Sequence, residues 1–97
     1  EYKTVESGTY TIKYKMVDRT VEKAPPMSNA TEKKGRVVVK ITIDRYGIVK
    51  TTETGYVGST TTDKYLLVKA MKAAMATRFN QKLKGPITQE GTMVFDY

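Results

Sequence analysis

The sequence predicts an α+β domain: an antiparallel sheet of three to four strands with one main α-helix packed on one face. Three observations predict it. Residues 36–44 and 91–97 alternate apolar with polar side chains, the period of a half-buried strand. Residues 64–79 repeat their apolar positions at helical spacing. The helix stands between the strands in the chain, and a helix covering one face of an antiparallel sheet is the simplest way to bury all three stripes.

The first element is "TYTIKYKMV", residues 9–17. Tyr10, Ile12, Tyr14 and Met16 share one face; Thr11, Lys13 and Lys15 point the other way, with Val17 following. Residues 19–34 break the alternation. Pro25 and Pro26 forbid a regular strand, and Ser28, Asn29 and Thr31 are turn formers, so a loop with a short helical turn is expected. The triplet Asn29-Ala30-Thr31 matches a glycosylation acceptor, a pattern common by chance. Residues 36–44 follow as the strongest strand, with Val37, Val39, Ile41 and Ile43 on one face and Val38, Lys40, Thr42 and Asp44 on the other. Asp44-Arg45-Tyr46-Gly47 reads as a hairpin turn closed by a left-handed Gly47, and residues 48–54 return as the partner strand.

A loop rich in Gly, Ser and Thr then leads to the helix, with Thr62 or Asp63 as N-cap. Leu67, Ala70, Met71, Ala74 and Met75 are expected on its buried side, Val68 and Phe79 at the margin, and Tyr65, Lys69, Lys72 and Ala76 opposite. Arg78 falls within the apolar stripe, so either the helix stops just before it or its stem snorkels to solvent. Residues 80–90 connect to the last strand, where Met93, Phe95 and Tyr97 alternate with Thr92, Val94 and Asp96.

The length, 97 residues, suits one globular unit, divided into an N-terminal strand and proline-containing lead-in (1–34) and a core segment (35–97). The chain opens at Glu1 rather than Met and is expected to be a piece of a longer protein. No apolar run approaches the ~20 residues of a membrane-spanning helix. The formal charge of +7 favours acidic partners, although the lysines are scattered and the nearest block, Lys33-Lys34-Gly35-Arg36, is too short for a basic arm.

The chemistry-bearing residues do not assemble into an active site. With no Cys and no His, thiolate chemistry, the commonest general base and the commonest metal ligand are gone, and neither metal nor cofactor is expected. Asp44 and Glu53 approach each other across a hairpin but occupy positions where solvated charges usually sit. Ser59, Thr60, Thr61 and Thr62 have no partner base beyond a formal Ser–Lys pairing with Lys64, and capping accounts better for the hydroxyls. Gly55-Tyr56-Val57-Gly58-Ser59 lacks the Gly-Lys-Ser/Thr ending of a phosphate loop. The chain is therefore not expected to be an enzyme. Nor is nucleic acid expected: Tyr10 and Tyr14 lie on the opposite face of their strand from Lys13 and Lys15, which separates stacking rings from phosphate-binding charges.

Three stretches in this order, "GRVVVKITIDRYGIV", "GYVGSTTTDKYLLVKAMKAAMATRFN" and "QEGTMVFDY", resemble the C-terminal domain of TonB-type energy transducers in the form widespread in Bacteroidetes. The likeness covers residues 35–97, and "DRTVEKAPP" is similar to the family's proline-containing lead-in. Ala24-Pro25-Pro26 stands where better-known members carry Tyr-Pro, and eight residues separate Pro26 from Gly35, too few for those members' first helix.

The resemblance implies a TonB/TolA C-terminal-like fold and a periplasmic location, as the soluble part of an inner-membrane-anchored protein. It implies two partners: an N-terminal peptide of a TonB-dependent outer-membrane receptor, and a proton-driven inner-membrane motor complex reached through an N-terminal part. The function implied is to grip the receptor peptide by β-strand addition and transmit a pull for substrate import. The last strand would carry the exposed edge, with Thr92, Met93, Val94, Phe95 and Asp96 as the docking line. The strand at 9–17 would either cover that edge as a self-inhibitory plug or sit beside 48–54 and leave it free; the same edge would otherwise pair with itself in a homodimer. The alternative function is a basic module that binds the cell envelope, through peptidoglycan or anionic lipid.

Overall fold

A computed structural model describes residues 1–27 and 33–97. The chain order is β1 (Lys3–Ser7), β2 (Tyr10–Lys15), β3 (Val21–Lys23), β4 (Arg36–Asp44), β5 (Val49–Glu53), α1 (Lys64–Ala76), β6 (Arg78–Phe79) and β7 (Thr88–Asp96). The expected α+β class is what forms. The main sheet has five strands instead of three to four, in the order β1-β2-β7-β4-β5, with every pair antiparallel. A second, two-stranded sheet joins β3 to β6. The helical turn expected in the lead-in and the Asn29-Ala30-Thr31 triplet fall on residues 28–32, outside the described residues.

β4 and β7 form the backbone of the sheet, paired from Arg36↔Asp96 through Asp44↔Thr88. Their core-facing side chains are Val37, Val39, Ile41 and Ile43 against Met93 and Phe95, all buried. Burying each such side chain contributes roughly 1.5–3 kcal/mol. β2 adds Ile12, Tyr14 and Met16 to the same core, as its alternation predicts. The β4–β5 turn forms as expected: Gly47 takes φ +82° and its N–H donates to the Asp44 carbonyl at 3.1 Å. The Asp44 carboxylate accepts from the N–H groups of Tyr46 and Ile48, which closes the turn.

The helix starts at its cap, where Asp63 accepts from the N–H of Tyr65 at 3.0 Å and of Leu66 at 3.2 Å. It ends at Ala76, before Arg78, and Thr77 donates its hydroxyl to the Ala73 carbonyl at 2.9 Å. The buried face differs from the expected one. Leu66, Ala70, Ala73 and Ala74 face the sheet, while Met71 and Met75 stay 37% and 41% exposed at the rim. The small alanines let the helix backbone approach β4 and β5 closely, and that gain outweighs centring the stripe on the larger methionines.

The N-terminal segment is tied to the rest by Arg19, a buried guanidinium. Its Nη1 donates to the carbonyls of Asn80 at 2.9 Å and Asp44 at 3.3 Å. One side chain therefore links the lead-in, the β4–β5 turn and the segment after β6.

Two outcomes follow from this frame. A Cβ at position 47 would collide with the Phe79 carbonyl in a left-handed backbone, so Gly47→Ala should lower unfolding free energy by more than about 2 kcal/mol in denaturant melts. The Asp63 carboxylate is held below its ordinary pKa by Lys33 and the helix N–H groups. Its contribution is then complete above the ordinary carboxylate value and lost as pH falls through the lowered one. Asp63→Asn, which keeps a cap, should flatten the acid limb of a melting-temperature profile below about pH 4, the ordinary carboxylate range.

Candidate functional site

The sheet edge was the expected working surface, and the topology relocates it. β7 lies inside the sheet, between β2 and β4, so the outermost strands are β1 and β5. Of the expected docking residues, Thr92, Met93 and Val94 pair on one side with Lys40, Val39 and Val38, and on the other with Lys15, Tyr14 and Lys13. Met93, Val94 and Phe95 are buried, while Asp96 is exposed and bound to Arg36 through Nε at 2.7 Å. The expectation of an exposed edge is corrected at 92–94, where β2 pairs; Phe95 and Asp96 have register partners on β4 only. Of the two placements for the first strand, the one that covers β7 is found. The physical reason is apolar demand: α1 packs on β4 and β5, so Met93 and Phe95 need a neighbour on the other side, and the Ile12-Tyr14-Met16 stripe needs a core.

The seam between β2 and β7 is short but well fitted. The paired register covers three positions, against nine for β4 with β7. Beyond the ladder, rings continue the contact: Tyr10 packs edge-on to Tyr97 at 5.9 Å, and Tyr97 stacks on Phe95. The Tyr97 hydroxyl is buried with no hydrogen-bond partner among the described residues, and burial with the nearby Tyr10 pushes its pKa upward. At the other end, the Gln89 amide donates to the Val17 carbonyl. Between them, Gly91 allows close approach. A Cβ there would stand 2.5 Å from Met16 Cε and 2.6 Å from the Lys15 carbonyl oxygen.

The remaining polar residues are occupied with structure. Ser59 and Thr60 accept from the backbone N–H groups of Val38 and Arg36, and the N–H groups of Tyr56 and Thr60 donate to the carbonyls of Val38 and Arg36. The loop after β5 thus closes β4 where β5 has ended. Asp44 and Glu53 stay apart: Asp44 caps the turn, and Glu53 lies opposite Lys40. Among the described residues no group of three or more acidic side chains is placed to hold a metal. Among the described residues no helix is long and apolar enough to cross a membrane.

Two functional features escaped the sequence reading. β1 has a single apolar residue, Val5, in five, and its only signal was Gly8, whose φ of +61° turns the chain into β2. Arg19 gave no signal, because an isolated arginine beside a proline-rich loop reads as solvated.

Gly91→Ala should therefore act at the β2–β7 seam. Amide hydrogen exchange should quicken in β2 before it quickens in β4, with a loss of about 1–3 kcal/mol in overall stability. Comparison with known proteins finds no family that matches this chain, no similar curated protein and no similar solved structure.

Proposed function

We propose that this chain is the periplasmic C-terminal domain of a TonB-type energy transducer, whose docking strand is held in a self-occupied state. The observation that carries the reading is the β2–β7 seam. There the last strand already accepts an extended antiparallel segment, drawn from outside the part of the chain that resembles the family. A receptor peptide would compete for the same backbone N–H and C=O groups. Strand addition would then be strand exchange, with the β1–β2 hairpin yielding to the incoming segment.

The incoming segment must offer what β2 offers. Ile12, Tyr14 and Met16 are buried, so a ligand needs bulky apolar side chains at alternate positions to keep Met93 and Phe95 covered. The other face of the ladder makes few demands, since Lys13 and Lys15 are exposed. The pull reaches a continuous sheet: force on β7 passes into nine paired positions of β4. A module that binds the cell envelope by charge is the competing proposal. Pairing of Arg36 with Asp96 and of Lys40 with Glu90 lowers the charge such binding would use on the open sheet face, where Lys13 and Lys15 remain exposed.

A disulfide lock tests the exchange in the full chain, which has no cysteine of its own. Lys15 and Thr92 are register partners, so Lys15→Cys with Thr92→Cys places the two thiols opposite each other. Peptides from the N-terminal segments of outer-membrane receptors should shift amides of β2 and β7 in the reduced form, with little salt dependence, and bind poorly in the oxidised form. Equal binding in both forms, or shifts confined to β1 or β5, would move docking to an outer edge. Silence in the reduced form at millimolar peptide defeats the transducer reading.

A further inference from the structure

A second surface lies away from the β2–β7 seam. The strap after β3 runs past the C-terminal half of α1 and leaves two adjoining depressions of about 240 and 590 Å³ that share Pro26 and Ala76. Their floor is apolar, with Pro25, Pro26, Ala73 and Ala76. Lys72, with Lys69, borders the first; Lys23 and Arg78 border the second. Among the described residues no carboxylate lines either one.

The arrangement of Lys23 and Arg78 has an energetic cost. They are register partners across β3 and β6, with a bulge at Glu22 between Val21 and Lys23, and like charges placed opposite each other on neighbouring strands repel. Arg78 cannot easily swing aside, because its Nη1 donates to the carbonyls of Met75 at 2.9 Å and Thr77 at 3.1 Å. Among the described residues Lys23 has no ion-pair partner. A carboxylate seated between the two would turn repulsion into two charge-assisted hydrogen bonds.

We propose that this groove binds an acidic peptide segment. One carboxylate would lie between Lys23 and Arg78 and a second near Lys72, with small apolar side chains between them on Pro26 and Ala76. The chemistry selects this occupant. A second copy of the chain carries the same +7 charge and is repelled. Neither depression is lined by an aromatic ring on which a base would stack. The site is a recess with an apolar floor, which suits a narrow extended chain better than a flat lipid surface.

The test is a titration of the full chain with a capped octapeptide of alternating Glu and Val, followed by amide shifts and calorimetry. Shifts are expected at Lys23, Ala24, Ala73, Ala76 and Arg78. Lys23→Glu should weaken binding by about tenfold or more. The same change should raise the melting temperature, because it converts the opposed cations into an ion pair. Lys50→Glu, with the same change in net charge on β5, should stay within about twofold of the parent. The disulfide-locked variant should bind this peptide as the parent does, since the groove uses no residue of the seam; failure of strand exchange and failure of this proposal are thus distinguishable. Equal weakening by Lys50→Glu, equal binding of a Lys and Val peptide, or a lower melting temperature for Lys23→Glu would each overturn the proposal. So would displacement of the peptide from these amides by a lower concentration of single-stranded DNA or anionic vesicles.

Discussion

The long antiparallel pairing of β4 with β7 is the constraint on which the rest of the molecule depends. It joins residues 36–44 to residues 88–96, and it holds the apolar faces of both strands in one plane. Everything else is arranged to cover that plane. α1 covers the β4 and β5 side with small residues, and β2 brings Ile12, Tyr14 and Met16 to the β7 side. Without the ladder neither stripe has a partner, and loop-closure entropy for so distant a pairing must be met before any of this burial is gained.

The N-terminal segment is therefore both attachment and core. Its hairpin meets β7 over three paired positions, yet Ile12, Tyr14 and Met16 are buried in the core. Arg19 adds a polar tie that reaches two distant carbonyls. A buried guanidinium held by two carbonyls at Nη1, with Nε and Nη2 unpaired among the described residues, is costly to desolvate, and the two bonds favour one docking geometry for the lead-in. Short pairing combined with deep burial suits exchange more than dissociation. A competing strand can replace three ladder positions, but only if it fills the same apolar sites.

Charge divides between the two sides of the molecule. On the open sheet face cations stand beside acids, as in Arg36 with Asp96 and Lys40 with Glu90. Along the strap and α1, Lys23, Lys72 and Arg78 line depressions with no acid among the described lining residues. Two cations of the sheet are thus paired with acids, while Lys13 and Lys15 on the same face stay exposed.

The sequence by itself determined the elements whose signal is local. Alternation placed β4 and the inward faces of β2 and β7, because successive strand residues point to opposite faces. Asp44 with Gly47 marked the hairpin, and the pair Thr62 and Asp63 marked the start of α1, where Asp63 is the cap that forms, because turn and cap chemistry act within four residues. The absence of Cys and His removed whole classes of chemistry before any fold was known. Strand order, by contrast, was decided only by tertiary structure. An amphipathic strand states which face it buries, not which neighbour it chooses, so β2 could have flanked β5 and left β7 open. The choice of Leu66 and Ala73 over Met71 and Met75 as the buried helix face was likewise a matter of how closely two backbones approach. The opposition of Lys23 to Arg78 across 55 residues of chain exists only once β3 and β6 have met, because register between distant strands is a property of the packed core and leaves no mark in either segment alone.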